Sequence, residues 1–122
     1  MDNKTLIREI VDLIKIAETT LPGDVICALE RAYDQECGIA KIQIETMLKN
    51  IDVAKKTNRP LCQDTGVQTF FIEVGKDYPF IGQLKPCIVE AVKIATKEIP
   101  LRPNTFDPFT RRNHKEIGRA HV

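Results

Sequence analysis

The sequence has no large excess of charge of either sign, and it contains no long apolar run. Eighteen Lys and Arg residues against seventeen Asp and Glu leave a net charge of +1, so there is little excess charge to attract a polyanion. No apolar run approaches the ~20 residues of a membrane-spanning helix. The N-terminal residues 1–4 (MDNK) do not resemble a secretory signal. We therefore expect a cytoplasmic protein that binds neither nucleic acid nor a membrane.

The four cysteines form no CxxC pair, which argues against a zinc ribbon or a thioredoxin-like redox motif. Without a secretory signal, disulfides are not expected either. Cys27 and Cys87 lie in segments with helical apolar periodicity, which predicts that both pack in the core. Cys37 lies at a predicted helix boundary. Cys62 differs from the other three because it falls in a loop crowded with polar side chains.

Apolar residues recur at helical spacing in four segments. The spacing predicts helices over about residues 5–18, from about residue 24 onward, from about residue 38 to 56, and over about 83–98. The side chains expected to face the core are Leu6, Ile7, Ile10, Val11, Ile14 and Ala17 in the first helix, Val25, Ile26, Leu29 and Tyr33 in the second, Ala40, Ile44, Met47, Leu48, Ile51 and Ala54 in the third, and Leu84, Ile88, Ala91, Val92, Ala95 and Ile99 in the fourth.

Residues 67–74 (VQTFFIEV) are rich in β-branched and aromatic side chains, which predicts a strand. Both faces of this strand are apolar, and a single strand leaves its backbone groups unpaired. We therefore predict an α+β fold in which N-terminal helices lead into the first strand of an incomplete mixed sheet.

The last seven residues, EIGRAHV (116–122), are what a common short-read sequencing adapter encodes in one reading frame. We therefore expect residues 1–115 to be the native part of a longer protein and residues 116–122 to be a non-native tail.

Chemistry-bearing side chains concentrate in the loop over residues 60–66 (PLCQDTG). The loop could be a simple turn in which Asp64 and Thr65 accept hydrogen bonds from nearby backbone N–H groups while Cys62 packs. It could instead present a thiol, an amide and a carboxylate to a ligand. Downstream, Arg102 lies between Leu101 and a proline on an extended segment, where it could offer a bidentate fork to a carboxylate or remain a surface charge.

The segment RPLCQDTG (59–66), followed by LRPN (101–104) and DPFTRRN (107–113), resembles the iron–sulfur-dependent hydro-lyases, that is, class I fumarate hydratases and L-tartrate dehydratases. The resemblance covers essentially residues 1–113 and is to the start of their α-type catalytic region or subunit. It implies reversible hydration of a small dicarboxylate, either fumarate to malate or the dehydration of tartrate. It also implies a β-type domain or subunit and a homo- or hetero-oligomer.

The resemblance also implies roles for individual residues. Cys62 would be one of three thiolate ligands of a 4Fe–4S cluster whose open iron acts as a Lewis acid. Gln63 and Asp64 would face the substrate, with Asp64 a candidate acid/base group, and Arg102 would bind a substrate carboxylate. The other three cysteines do not lie in the family's ligand motifs. Two further ligands are therefore expected outside this segment, and the segment alone is expected to be inactive.

Two other interpretations remain open on the sequence alone. The chain could be a small α-rich interaction module with structural cysteines and no catalytic activity. It could also be a thiol enzyme with Cys62 as nucleophile, although His114 lies in a segment without apolar periodicity and cannot be assigned as its base.

Overall fold

A computed structural model describes residues 2–104 and 106–112, and the regular structure of this part consists of four α-helices. Helix α1 spans Asn3–Thr19, α2 spans Gly23–Gln35, α3 spans Gly38–Thr57 and α4 spans Ile81–Glu98. The four predicted helices are confirmed. His114 and the predicted tail 116–122 lie outside the described residues. None of the described helices combines the length and the hydropathy needed to cross a bilayer.

The main core lies between α1 and α4, which pack against each other. Its largest fully buried side chains are Ile14, Ile99 and Val11. The apolar stripe predicted for α4 is largely confirmed, because all of its members except the partly buried Leu84 are buried. The core residues are Val11, Ile14, Ile88, Ala91, Val92, Ala95, Ile99 and Leu101.

Helices α2 and α3 form a second, thinner pair. The core predicted for α2 is wrong, because none of its residues is buried, and Cys27 is exposed rather than packed. On α3, Ile51 and Ala54 are buried as predicted, whereas Met47 is 52% exposed. The reason is geometric: within the described part of the chain, α2 packs against α3 alone. By contrast, Cys87 on α4 is buried as predicted.

The predicted α+β fold is wrong for the described residues, which contain no β-strand. Residues 67–74 form neither a strand nor a helix. A strand requires backbone partners, and strand propensity is only a tendency to suit a paired, half-buried surface. No described segment provides that pairing here. The segment instead packs the half-buried Phe70 against the α1–α4 core and leaves Phe71 96% exposed.

Candidate functional site

The loop over residues 59–66, hereafter the cysteine loop, begins where α3 ends. Asn58 ends that helix in the left-handed conformation, with φ of 53°. The backbone of Leu61 is then held on both sides: its N–H donates to the carbonyl of Glu18 at 3.0 Å, and its carbonyl accepts from Nδ2 of Asn50 at 2.6 Å. The loop is therefore attached both to the end of α1 and to the C-terminal half of α3.

A second set of hydrogen bonds joins the cysteine loop to the segment after α4. The backbone N–H of Arg102 donates to Oγ1 of Thr65 at 3.1 Å, and Nδ2 of Asn104 donates to the carbonyl of Gly66. Leu101 is 5% exposed and belongs to the core, so it fixes the chain immediately before Arg102. Two motifs that are far apart in the sequence thereby become neighbours.

An open cleft of about 480 Å³ lies between these two segments. Its size is within the range of small-molecule sites. Two guanidinium groups and one thiol line it, and the described residues of its wall include no carboxylate. The lining residues are Asn50, Arg59, Pro60, Leu61, Cys62, Gln63, Thr65, Pro100 and Arg102. Two positive charges, with no carboxylate among the described lining residues, make this cleft suited to an anion.

Three of the four predicted site residues, Cys62, Gln63 and Arg102, line this one cleft. The fourth, Asp64, is exposed between two lining residues, and its carboxylate oxygen Oδ1 accepts a hydrogen bond from the N–H of Gly66 at 3.3 Å. The thiol of Cys62 is exposed rather than packed, and it donates to the carbonyl of Asp64 at 3.2 Å. Asp64 thus makes the contact expected of a simple turn, while Cys62 remains accessible.

Sequence reasoning assigns no cleft role to Asn50, Arg59 or Thr65, although all three line the cleft. Arg59 could have been found, since it is the first residue of the RPLCQDTG segment. For Thr65 the sequence predicts only a partner for nearby backbone groups. Asn50 lies eleven residues before Leu61 on an ordinary helical face, so only the tertiary contact at 2.6 Å reveals it.

Among the described cysteines, Cys62 is the one whose side chain lines the cleft. No group of three or more His, Cys, Asp or Glu side chains in the described part of the chain is arranged to hold a metal ion. Cys27 and Cys37 are exposed on and beside α2, and neither lines the cleft. The described residues therefore fit one ligand position of a metal centre and no more.

Glu18 lies next to the cysteine loop. Among the described carboxyl groups near the site, it is the one whose pKa is clearly shifted by its surroundings. Partial burial raises the pKa of the Glu18 carboxyl, and a hydrogen bond from Nε2 of Gln68 opposes that effect only in part. The backbone carbonyl of the same residue holds the Leu61 N–H. The cysteine loop is thus hydrogen-bonded to the end of α1 at Glu18, whose carboxyl group is partly removed from water.

Comparison with known proteins confirms the resemblance noted in the sequence. The family model described as Fumarate hydratase (Fumerase) matches residues 7–120. Over 109 residues, the chain is 43% identical to "Putative L(+)-tartrate dehydratase subunit alpha" of Methanocaldococcus jannaschii, covering 87% of this chain and 38% of that protein. Over 105 residues, it is 36% identical to "L(+)-tartrate dehydratase subunit alpha" of Escherichia coli K12, covering 85% of this chain and 35% of that protein. The chain therefore spans less than two fifths of the length of these relatives.

Proposed function

Because this chain belongs to the fumarate hydratase (Fumerase) family, we propose that it is part of a hydro-lyase acting on a small dicarboxylate. The reaction is the reversible hydration or dehydration of this dicarboxylate. It is either the hydration of fumarate to malate or the dehydration of tartrate. The observation that carries this proposal is the cleft itself, in which two arginines and an exposed thiol face one open space without an acidic residue among the described wall residues. A doubly negative substrate is the ligand that this charge pattern favours.

Arg102 is the residue we assign to a substrate carboxylate. A guanidinium offers two parallel N–H groups that match the two oxygens of a carboxylate, and it stays charged at every physiological pH. The proton that leaves during dehydration lies beside that carboxylate and is weakly acidic. A fixed cation at the carboxylate stabilises the negative charge that develops in the transition state. Gln63, which lines the same cleft, offers amide groups to the rest of the substrate.

Asp64 is our candidate for the acid/base group that gives or takes the proton. It lies between Gln63 and Thr65, which both line the cleft. One of its carboxylate oxygens, Oδ1, accepts a long hydrogen bond of 3.3 Å from the backbone N–H of Gly66. The other oxygen is the one we assign to proton transfer.

We assign Cys62 as one thiolate ligand of a 4Fe–4S cluster. The thiol at the wall of the cleft fits this role, since a cluster that binds substrate through its open iron must be held beside the space that the substrate occupies. When bound, such a cluster supplies a Lewis acid for the hydroxyl group that is added or removed. The described residues provide no further thiol at this position, so we place the remaining ligands in the portion of the relatives' length that this chain does not span.

We further propose that the active enzyme includes a β-type domain or subunit and is a homo- or hetero-oligomer. The support is that the matched relatives are named subunit alpha. Pull-down of a tagged complete gene product from its native host, followed by mass determination, tests this point. If the recovered protein is a monomer that contains the α-type region and no β-type domain or subunit, the proposal is contradicted.

The test of the proposed function compares two cysteine variants of the complete gene product. The protein is produced without oxygen and reconstituted with iron and sulfide, and its visible absorption, fumarate hydration and tartrate dehydration are recorded. Cys62→Ser should lose the cluster absorption. It should also lower activity by more than ~10–100-fold, which is the usual cost of replacing a residue that only hydrogen-bonds to a metal ligand. Cys37→Ser, at an exposed thiol that does not line the cleft, is the matched control and should keep both.

A Cys62→Ser protein with intact cluster content and activity would contradict the assignment of this thiol. A wild-type protein that takes up no cluster, does not hydrate fumarate and does not dehydrate tartrate would favour the alternative, an α-rich interaction module whose cysteines are structural.

A further inference from the structure

Thr65 is a buried polar residue in a loop whose neighbouring side chains are exposed. Its exposed fraction is 7%, against exposed positions at Asp64 and Gly66. The buried threonines of the helices, Thr19 and Thr96, donate their hydroxyls to the carbonyl four residues earlier on their own helix. The hydroxyl oxygen of Thr65 instead accepts a hydrogen bond from a backbone N–H 37 residues away in the sequence.

That N–H belongs to Arg102, so the contact fixes the backbone from which the guanidinium projects. The chain is also held one residue earlier by the buried side chain of Leu101 and two residues later by the hydrogen bond from Asn104 to Gly66. Since Arg102 is itself exposed, its direction depends on these backbone attachments. Of the three, the Thr65 bond is the one made at the arginine's own backbone.

From this geometry we infer that Thr65 is a positioning residue that sets the place of the Arg102 guanidinium in the cleft relative to the cysteine loop. The inference rests on the proposed function, in which Arg102 binds a substrate carboxylate. Loss of the hydroxyl leaves the Arg102 N–H without its acceptor, which favours a shift of the extended segment toward water. A displacement of about 1 Å at a residue that orients substrate is enough to impair the alignment of the guanidinium with the carboxylate.

The experiment measures binding of succinate, a dicarboxylate that cannot be hydrated, to the complete gene product by calorimetry. Thr65→Val keeps the shape of the side chain and removes the acceptor, so it should weaken binding about tenfold. Thr65→Ser keeps the hydroxyl and should recover affinity to within about twofold of wild type. Thr46→Val, at an exposed threonine on α3 that hydrogen-bonds to its own helix, is the matched control and should not change affinity.

Coupling to the arginine separates positioning from a general structural effect. In an Arg102→Met background, Thr65→Val should cause no further loss, because the group that Thr65 positions is gone. An equal tenfold loss in both backgrounds, or wild-type affinity in Thr65→Val, would overturn the inference. If Thr65→Val does not fold, Thr65→Ser decides, and a tenfold loss despite the retained hydroxyl overturns it.

Failure of the proposed function gives a different result. In that case wild type and Arg102→Met bind succinate equally or not at all, which overturns the dicarboxylate site and the positioning role together. If wild type binds succinate and Arg102→Met binds it more weakly, the dicarboxylate site stands, and the Thr65 variants alone decide the positioning role.

Discussion

The side-chain amide of Asn50 donates a hydrogen bond of 2.6 Å to the backbone carbonyl of Leu61. This contact ties α3 to the cysteine loop at the residue before Cys62. The other side of the same peptide segment is tied to α1, because the Leu61 N–H donates to the Glu18 carbonyl at 3.0 Å. The thiol is therefore presented by a loop whose backbone is fixed by two different helices.

Replacement of Asn50 by Ala should loosen the cysteine loop without unfolding the helices. The lost hydrogen bond is partly exposed to water, so we expect a cost of about 1 kcal/mol, seen as faster hydrogen exchange at residues 59–66. Gln43→Ala, at an exposed amide two turns earlier on α3, is the matched control. Equal exchange rates in the two variants would show that Asn50 does not hold the loop.

Gly66 adopts a left-handed backbone with φ of 61°, and an added Cβ would meet no atom within 4 Å. A substitution to Ala should therefore act through backbone strain alone and lower the free energy of unfolding by about 1 kcal/mol. Gly75 has equal space for a Cβ but no positive φ, so Gly75→Ala should not destabilise the chain. Urea unfolding of both variants checks this prediction. An equal decrease in the free energy of unfolding for both would show that the positive φ at Gly66 is not the cause.

Two isoleucines two residues apart on α1 should respond very differently to truncation. Ile14 is 1% exposed in the core, whereas Ile16 is 59% exposed. Ile14→Ala should lower the free energy of unfolding by about 2–5 kcal/mol, because it leaves a cavity between α1 and α4. Ile16→Ala should change it by less than about 0.5 kcal/mol. Urea unfolding followed by helical circular dichroism measures both, and similar values would contradict the packing of these helices.

Glu18 should make stability depend on pH, since burial raises its pKa above the ordinary value of 4.5. The folded chain then holds the proton over a pH interval in which the unfolded chain has released it. The free energy of unfolding should therefore fall as pH rises from the unfolded pKa through the folded one. Glu18→Gln is neutral at every pH, so it should be the more stable protein above that interval, with the advantage shrinking at lower pH.

Melting temperatures of wild type and Glu18→Gln between about pH 4 and pH 7 measure this difference. The amide oxygen introduced by the substitution can still accept the hydrogen bond from Gln68. Glu9→Gln, at an exposed position on the same helix, controls for the loss of one charge. Parallel curves for wild type and Glu18→Gln would rule out the effect.

The helices and much of the α1–α4 core could be predicted from the sequence, because periodic apolar residues such as Ile88 and Val92 form one face that a neighbouring helix can cover. The same pattern on α2 did not predict burial, since α3 alone packs against that helix among the described residues. The family could also be predicted, since RPLCQDTG and LRPN are specific residue strings. The structure of residues 67–74, for which the sequence predicted a strand, could not be predicted in this way. The strand propensity was real, but a strand exists only with a backbone partner, and the described chain offers none.

The sequence by itself determined which residues form helices and which short segments carry the chemistry of Cys62 and Arg102, because both depend on local spacing and residue type. Only the tertiary structure decided that these segments share one cleft. That outcome depends on contacts between distant residues, chiefly Thr65 with Arg102 and Asn50 with Leu61, each a single donor meeting a single acceptor. Such pairs leave no periodic pattern in a sequence, so they become visible only when the chain is folded.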